Sequence, residues 1–266
     1  MPLRAQALRG GGHAAPVLVV APHPDDELHS AATWLQHLDL GARVTVVILT
    51  DGSASRRIPG GQDEVRRVRR QEAEAAQAIL RASRWEWIGH RDGVLSARAA
   101  ADALTAIVEA EHPALIYAPS FADGHPDHLT STLGLALCLA VRPEITVRLY
   151  PVQTPLTPIL TNLAIDGGGQ RERVLQAVRA HRSQSATLAS ILRAKSYAAS
   201  LYGGDGWVDE YWEVPSSALQ AISAAAEPFA YAGLRERAYL DPAAYLTGWR
   251  QRRSLLDAAS SRARSN

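Results

Sequence analysis

Short apolar runs alternate with longer amphipathic stretches over most of this chain. The apolar runs are residues 17–21, 44–50, 85–88, 114–118 and 146–152, and the amphipathic stretches are 28–40, 63–82, 97–111 and 129–141. Strands joined by helices in this order form a mostly parallel sheet, because each right-handed crossover returns the chain to the same end of the sheet. The pattern predicts an α/β fold: a Rossmann-like, mostly parallel sheet with helices on both faces.

The second half of the chain carries fewer signals. An Asp-Gly-Gly-Gly segment at 166–169 predicts a flexible loop, and helical patterns follow at 171–182 and 187–201. Residues 207–214 combine aromatic and β-branched side chains, which predicts one late strand. The loops between these elements are expected to border the substrate cleft.

Length and composition favour a single domain. The 266 residues, 47% of them hydrophobic, are enough for one large core. We expect that domain at 14–257, between a flexible N-terminus at 1–13 and a frayed tail at 258–266. Cys138 is the only cysteine, which excludes an intrachain disulfide and a zinc site built from thiolates.

Charge and hydropathy exclude several partners. A formal net charge of +1 gives no broad basic surface for nucleic acid. No run of about 18 apolar residues predicts a membrane span, and the first 13 residues lack the apolar core of a signal peptide. We therefore expect a cytoplasmic protein.

Two motifs combine imidazole and carboxylate groups next to predicted strands. Pro-His-Pro-Asp-Asp-Glu at 22–27 follows the first strand, and His-Pro-Asp-His at 125–128 follows the fourth. Parallel α/β sheets bind ligands beyond the carboxyl ends of their strands, so the two turns are expected to meet. Imidazole nitrogens and carboxylate oxygens are good zinc ligands, and a catalytic zinc takes about three protein ligands and a water. The motifs predict one joint metal site.

Spacing identifies only some of the ligands. His23 and Asp26 are three residues apart, which places both side chains on one side of a helical turn, whereas Asp25 points elsewhere. The second motif offers His125 and His128 with the same spacing, and the residues alone do not choose between them. His125 as a fourth ligand, closing a structural site, is an alternative.

The chain resembles a known family in these motifs and in two further segments. Arg-Arg-Val-Arg-Arg-Gln-Glu at 66–72 and Ala-His-Arg-Ser-Gln at 180–184 complete a pattern that is similar to the PIG-L, or LmbE-like, deacetylases. These are metal-dependent enzymes that remove N-acyl groups from N-acetylglucosamine and related amino sugars. The resemblance implies a small-molecule amino sugar or glycoconjugate as the substrate.

The resemblance also assigns roles, position by position. It implies three ligands for Zn2+, or for Fe2+ or another divalent metal: His23, Asp26 and His128. Asp25 would be the general base and His125 a catalytic imidazole beside the metal. Asp127 would orient one of the histidines.

This set of residues suits amide hydrolysis. A metal polarises the acetyl oxygen and lowers the pKa of bound water toward about 7. Asp25, next to a ligand but off the metal, can accept the proton of that water. A protonated His125 can stabilise the oxyanion, protonate the leaving amine, or do both.

Arg69 and Asp92 are the candidate substrate-binding residues. Arg69 begins the R-x-x-E phase within 66–72, and Asp92 follows the third strand in an Asp-Gly turn. The resemblance places both near sugar hydroxyls, although Arg69 on a solvated helix face and Asp92 as a turn former are plainer readings. His181 is interpreted as a structural histidine with satisfied hydrogen bonds.

Other functions remain open on sequence grounds. A parallel sheet suits a dinucleotide, but the first strand leads into His-Pro-Asp-Asp rather than a Gly-x-Gly-x-x-Gly turn. Two histidines and a carboxylate also form the site of non-haem Fe(II) oxygenases. A sugar-binding module without catalysis, and an amidase acting on a sugar-linked thiol conjugate, are further alternatives.

Overall fold

Seven strands form one sheet in the computed structural model, which describes residues 2–8, 15–142, 144–230 and 242–262. They are β1 (Val17–Ala21), β2 (Val44–Thr50), β3 (Arg84–His90), β4 (Leu115–Pro119), β5 (Thr146–Tyr150), β6 (Leu163–Asp166) and β7 (Val208–Pro215). Their spatial order is β3-β2-β1-β4-β5-β7-β6. Neighbours among β1 to β5 pair in parallel, whereas β7 runs antiparallel to both β5 and β6. The predicted α/β class is confirmed.

Helices cover both faces of the sheet. Their bounds are α1 (Ala31–Asp39), α2 (Gln62–Leu80), α3 (Ala97–Glu111), α4 (Pro126–Leu139), α5 (Thr157–Leu160), α6 (Arg171–Ala180), α7 (Ser185–Tyr202), α8 (Leu219–Ala230) and α9 (Pro242–Arg262). A single 3-10 turn, Asp26–Ser30, precedes α1. No helix among these residues is both long enough and apolar enough to cross a bilayer.

Strand side chains alternate between two hydrophobic clusters. In β1, Leu18 and Val20 pack with buried residues of α3, α4, α8 and α9. Val17 and Val19 point the other way, toward α1, α2, α6 and α7. A parallel strand that is buried on both faces reads as a continuous apolar run, which is why the sequence marks β1 and β2 so clearly.

A strand that the sequence does not predict ends where the predicted loop at 166–169 begins. β6 has only four residues and pairs antiparallel with β7, an arrangement that a short run beside Asp166 does not reveal. Its free edge is covered by the N-terminal residues, because Gln6 forms a parallel bridge with Ile165. Within the N-terminal segment predicted to be flexible, the residues around Gln6 therefore lie against the sheet. Residues 1 and 9–14 are outside the described part of the chain.

The C-terminal helices also differ from expectation. α8 and α9 are not predicted: α8 is short and mostly apolar and contains Pro228, and α9 gives little periodic contrast between its faces. The predicted start of the tail, residue 258, falls inside α9, which ends at Arg262. Leu255 of α9 is fully buried in the core beneath α4 and α8.

α3 and α4 pack closely through a glycine. A Cβ atom at Gly134 would lie 2.5 Å from the Cβ of Ala100 and 2.8 Å from the carbonyl oxygen of Ala97. Contacts this short force the two helices apart. The distance between them matters for the site, because α4 carries the second motif at its N-terminus.

We predict that Gly134→Ala destabilises the fold by about 1–3 kcal/mol, the usual range for overpacking. Without this contact, Ala in place of Gly in a helix would stabilise by about 1 kcal/mol. Urea unfolding followed by circular dichroism measures the difference. Gly169→Ala is the matched control, since a Cβ there meets nothing within 4 Å. Equal stability of Gly134→Ala and wild type would contradict the close-packing argument.

Candidate metal centre and the surrounding cleft

The first motif forms a tight turn at the carboxyl end of β1. The Thr50 N–H of β2 donates to the carbonyl of Pro22 at 2.9 Å, and the Asp26 N–H donates to the carbonyl of His23 at 3.2 Å. Asp25 has a φ of 126°, a conformation that residues with a side chain rarely adopt. Its N–H donates to the carboxyl of Glu27 at 3.0 Å, which holds the strained residue in place.

The second motif begins α4, beyond the carboxyl end of β4. His125 is the N-cap residue, and its Nδ1 accepts the N–H of Asp127 at 3.2 Å. Pro126 occupies the first turn, where a missing N–H costs nothing. His128 follows in the same turn and is buried. Capping thus fixes which way the His125 imidazole faces.

Three ligand atoms from the two motifs converge. His23 Nδ1 lies 2.9 Å from Asp26 Oδ2 and 3.2 Å from His128 Nε2, and the latter two atoms are 3.2 Å apart. Tetrahedral zinc with bonds of about 2.1 Å separates its ligand atoms by about 3.4 Å. These three residues are the ones that the family resemblance assigns to the metal.

A carboxylate that the sequence reasoning missed holds His128. Asp123 Oδ1 lies 2.9 Å from His128 Nδ1 and also accepts the N–H of His125 at 3.0 Å. With a proton on Nδ1, Nε2 keeps its lone pair for a metal. Asp123 stands outside both motifs, five residues before His128, and that spacing alone does not indicate the contact.

His23 is held in the same way from its other side. Its Nε2 lies 3.1 Å from Asp92 Oδ1 and 3.3 Å from Asp127 Oδ2. A proton on Nε2 leaves Nδ1 free to face Asp26. Asp127 therefore lies where a residue that orients a histidine is expected, and it also accepts the N–H of Gly93 at 2.7 Å.

The charge balance at this point calls for a cation. Burial alone would lower the pKa of His128, yet the carboxylates of Asp26 and Asp123 raise it to about 9. Burial opposes ionisation of Asp26, but the charge of His128 brings its pKa well below the usual range. Without a metal, a proton supplies the positive charge that these carboxylates attract. A divalent metal would replace it and release it.

Two other groups of potential ligands share His23. One adds His125 and His128, and the other adds Asp92 and Asp127. In the first, His125 Nδ1 is occupied by a backbone N–H. In the second, Asp92 Oδ2 accepts the Ala54 N–H at 3.0 Å while Asp127 Oδ2 is shared with Gly93. We prefer the group with Asp26, because its two imidazoles are each held by a carboxylate on the opposite nitrogen.

Asp25 faces an arginine rather than the ligand atoms. Arg69 Nη2 lies 2.9 Å from Asp25 Oδ1 and also donates to the carbonyl of Pro24. Both side chains are buried. Arg69, predicted to read sugar hydroxyls, is therefore engaged in positioning Asp25. Burial and then the charge of Asp25 raise the pKa of the neighbouring Glu27 to about 8, so Glu27 adds little charge at neutral pH.

Asp92 and His125 have shifted pKa values. Burial opposes ionisation of Asp92, but its hydrogen bond to His23 lowers its pKa to about 2, and the residue lies both beside that imidazole and at the cleft. Burial, with repulsion from His128 and His23, lowers the pKa of His125 to about 4. His125 is thus a neutral imidazole at pH 7, with its proton on Nε2 because Nδ1 accepts a hydrogen bond.

The interpretation of His181 as a satisfied histidine is wrong. The residue is 1% exposed, and neither ring nitrogen has a hydrogen-bond partner among the described residues. Its neighbour in the same segment, Ser183, is anchored instead: both its N–H and its hydroxyl donate to Glu72 of α2, at 2.7 and 2.6 Å.

A cleft of about 310 Å3 opens above the converging atoms, within the usual size range of small-molecule sites. Its floor includes His23, Asp26 and His128. Its walls come from the loop after β2, the segment after β5 and the start of α7, and their polar side chains are Ser55, Gln153, Gln184, Ser190, Arg57 and Arg193. Hydroxyl and amide groups of this kind suit a polyhydroxylated ligand.

Fold and site together define a class: α/β proteins with a cluster of histidines and aspartates that could hold a divalent metal at the carboxyl edge of the sheet. Comparison with known proteins agrees. Residues 18–138, which contain both motifs, match the family model described as PIG-L, GlcNAc-PI de-N-acetylase. The family resemblance predicted from the motifs is confirmed.

A curated relative is the probable N-acetyl-alpha-D-glucosaminyl L-malate deacetylase 2 of Bacillus anthracis. It is 31% identical over 138 residues, which are 48% of this chain and 61% of the relative. The chain therefore spans about three fifths of the length of this relative.

Solved structures share the fold at low identity. The N,N'-diacetylchitobiose deacetylase of Pyrococcus horikoshii superposes with a TM-score of 0.62 at 22% identity, over 76% of this chain and 84% of that one. GalB, the 4-carboxy-2-hydroxymuconate hydratase of Pseudomonas putida KT2440, gives 0.61 at 19%, over 75% and 96%. A hydratase and a deacetylase on one fold mean that activity must be argued from the site.

We predict that His128→Ala removes the metal and that Asp123→Asn weakens its binding about 10- to 100-fold, the usual cost of losing a carboxylate behind a ligating histidine. Titration of the apoprotein with zinc against a competing chelator measures both. Asp102→Asn, an exposed carboxylate on α3, is the control. Unchanged affinity in Asp123→Asn would mean that His128 does not bind the metal through Nε2.

Proposed function

We propose that this protein is a zinc-dependent N-deacetylase that hydrolyses the acetamido group of an N-acetylglucosamine-type sugar or glycoconjugate. The observation that carries the proposal is the convergence of His23 Nδ1, Asp26 Oδ2 and His128 Nε2 within 3.2 Å of one another at the floor of a polar cleft. The family match over 18–138 supports it. So does the name of the Bacillus relative, which describes an N-acetylglucosaminyl conjugate as the substrate.

The metal, when bound, supplies a Lewis acid that polarises the acetyl carbonyl and makes water nucleophilic at neutral pH. Zinc suits the two imidazoles and one carboxylate, and Fe2+ suits the same donors. The protein holds these donors in place through Asp123, Asp92 and Asp127, so little reorganisation is needed when the reaction begins.

Asp25 would act as the general base. It follows His23 closely in sequence, yet its strained backbone turns the side chain toward Arg69 and the cleft rather than into the ligand group. Its carboxylate accepts a proton from the attacking water as the water oxygen bonds to the carbonyl carbon. Arg69 keeps the carboxylate oriented for that transfer.

His125 would stabilise the oxyanion as a neutral donor. Its Nδ1 is occupied by the Asp127 N–H, so the Nε2 proton is the one available to the cleft that His125 lines. The tetrahedral adduct collapses when its C–N bond breaks. Asp25 returns its proton to the departing nitrogen, and the products are acetate and a free amine. One carboxyl then serves as base and acid in turn.

The rival functions predict other products. An oxygenase consumes O2, and a GalB-like hydratase adds water across a double bond without releasing acetate. The turn after β1 supports His23 and Asp26 where a dinucleotide-binding protein requires a glycine-rich turn for phosphate. Stoichiometric release of acetate and amine therefore separates the deacetylase from all of these.

The direct experiment is a panel of N-acetylated sugars incubated with protein that has been stripped of metal and reloaded with one equivalent of zinc. Acetate and free amine should appear in equal amounts, and chelation should abolish both. A parallel sample reloaded anaerobically with Fe2+ compares the two metals. Amine release without metal dependence would refute the mechanism, and inertness toward every acetylated sugar would refute the function.

We predict that Asp25→Asn lowers kcat about a hundredfold or more while the protein still binds one zinc, because a general base is lost but the ligands remain. Asn is the suitable replacement, since it tolerates positive φ better than most residues and can still accept the Arg69 hydrogen bond. Metal analysis and the acetate assay are run on the same sample. Loss of zinc in this variant would place Asp25 among the ligands.

We predict that His125→Ala lowers kcat, and that the ratio of wild-type to variant kcat stays constant between about pH 6 and about pH 9. A histidine with a pKa of about 4 is already neutral throughout that range. The alternative, a protonated His125 acting as general acid, gives the wild type a fall in kcat at high pH that is absent from the variant. The pH profiles of the two proteins distinguish an oxyanion donor from a proton donor.

A further inference from the structure

The C-terminal helix α9 places an arginine in the core. Arg252 is fully buried, although a guanidinium group keeps its charge at every physiological pH. Burial of a charge is costly unless the donors of the group are used. Both Nε and Nη2 of Arg252 donate to the carbonyl of Pro155, at 3.0 and 2.7 Å. These two hydrogen bonds connect α9 to the segment that follows β5.

The backbone of α9 leaves room for this side chain at Gly248. A Cβ atom there would lie 2.1 Å from Nη1 of Arg252 and 3.1 Å from its Cζ. The guanidinium group therefore lies over the helix backbone one turn before its own Cα, the direction in which long side chains point in helices. A side chain at 248 would displace the guanidinium group from this position.

The segment that Arg252 contacts is strained. Thr157, two residues after Pro155, has a φ of 61°, a conformation that β-branched residues rarely adopt. Strained backbone persists only where its surroundings hold it in place. The Thr161 hydroxyl, beyond the strained residue, donates to the buried Glu210 at 2.8 Å. The chain is thus held on both sides of Thr157, by Arg252 before it and by Glu210 after it.

The other end of the same segment reaches the metal centre. Val152 and Gln153 line the cleft. The Gln153 N–H donates to Asp123 Oδ2 at 2.7 Å, while Asp123 Oδ1 lies 2.9 Å from Nδ1 of His128. A series of contacts therefore runs from α9 through 152–155 to the carboxylate that holds His128.

We propose that Arg252 is a positioning residue for the metal centre. By holding the Pro155 carbonyl it fixes the segment 152–155, and through the Gln153 N–H it fixes the Asp123 carboxylate that orients His128. The inference rests on the proposed function only for the divalent metal at His128, and it is independent of the substrate. It makes α9 part of the functional structure, although the match to the family ends at residue 138.

The first test removes the guanidinium group. In Arg252→Gln, the amide hydrogens of 152–157 should exchange with solvent about tenfold faster or more in metal-free protein, because the segment is released from α9. Affinity for zinc should fall about three- to tenfold, less than the loss expected for Asp123 itself, since Arg252 acts through Asp123. Hydrogen exchange read by mass spectrometry and zinc titration against a chelator measure the two effects.

Two controls separate positioning from loss of stability. Arg253→Gln makes the same substitution at the next residue of α9, where the side chain is exposed and pairs with Asp257, and it should change neither readout. Leu80→Ala removes a fully buried side chain from the other hydrophobic cluster. If Leu80→Ala weakens zinc binding and speeds exchange at 152–157 as much as Arg252→Gln does, the effect is general destabilisation and the positioning role is overturned.

Two milder variants keep the test decisive if Arg252→Gln does not fold. Arg252→Lys keeps the charge and a donor, so its zinc affinity should stay closer to that of the wild type. Gly248→Ala keeps Arg252 but displaces its guanidinium group, so it should resemble Arg252→Gln even though Ala is favoured over Gly in a helix. Wild-type exchange and wild-type zinc affinity in Gly248→Ala would overturn the proposal.

Neither readout requires turnover, so this inference and the proposed function can fail separately. Weaker zinc binding in Arg252→Gln with both controls unchanged supports the positioning role even if no acetylated sugar is hydrolysed. Unchanged zinc affinity in Arg252→Gln, in a protein that releases acetate, overturns the positioning role and leaves the deacetylase intact.

Discussion

Carboxylate–imidazole hydrogen bonds are the interaction on which the site depends. Asp123 holds His128 on one side, while Asp92 and Asp127 hold His23 on the other, and each pair fixes the ring nitrogen that is left for a metal. These carboxylates come from the ends of different strands, so the parallel sheet is what brings them together. Burial would neutralise isolated charges of this kind. Here the excess negative charge instead makes the site a place where a cation is stabilised.

The fold could be predicted where local sequence and tertiary environment agree. β1, β2 and α3 have the predicted bounds. The two strands are buried on both faces and therefore read as continuous apolar runs, and α3 has a clear apolar stripe at helical spacing. β6 and the antiparallel direction of β7 could not be predicted, since pairing across the sheet depends on contacts far apart in sequence. α9 gives little contrast between a buried and an exposed helix face, and the Pro228 in α8 argues locally against a helix, so neither is predicted.

The site, like the fold, could be predicted only in part. The residues assigned to the metal belong to two short motifs that are recognisable in the sequence, and the structure brings their side chains into contact. Asp123 has no motif of its own, so only the folded arrangement reveals its hydrogen bond to His128. Arg69 is predicted to bind the sugar, and its pairing with Asp25 is an additional contact that the sequence does not show, because it depends on how α2 packs. The neutral state of His125 is likewise a property of burial among other imidazoles.

The link between Ser183 and Glu72 has a consequence for how such a protein can change. The segment that matches the family ends at residue 138, yet α7, which supplies part of the cleft wall, comes from beyond that point and follows the segment anchored onto α2. The reactive groups and this part of the wall are thus encoded in separate stretches of chain that share one sheet and both hydrophobic clusters. Wall residues of α7 can therefore vary between relatives while Ser183 and Gln184 keep the helix in place over an unchanged reacting centre.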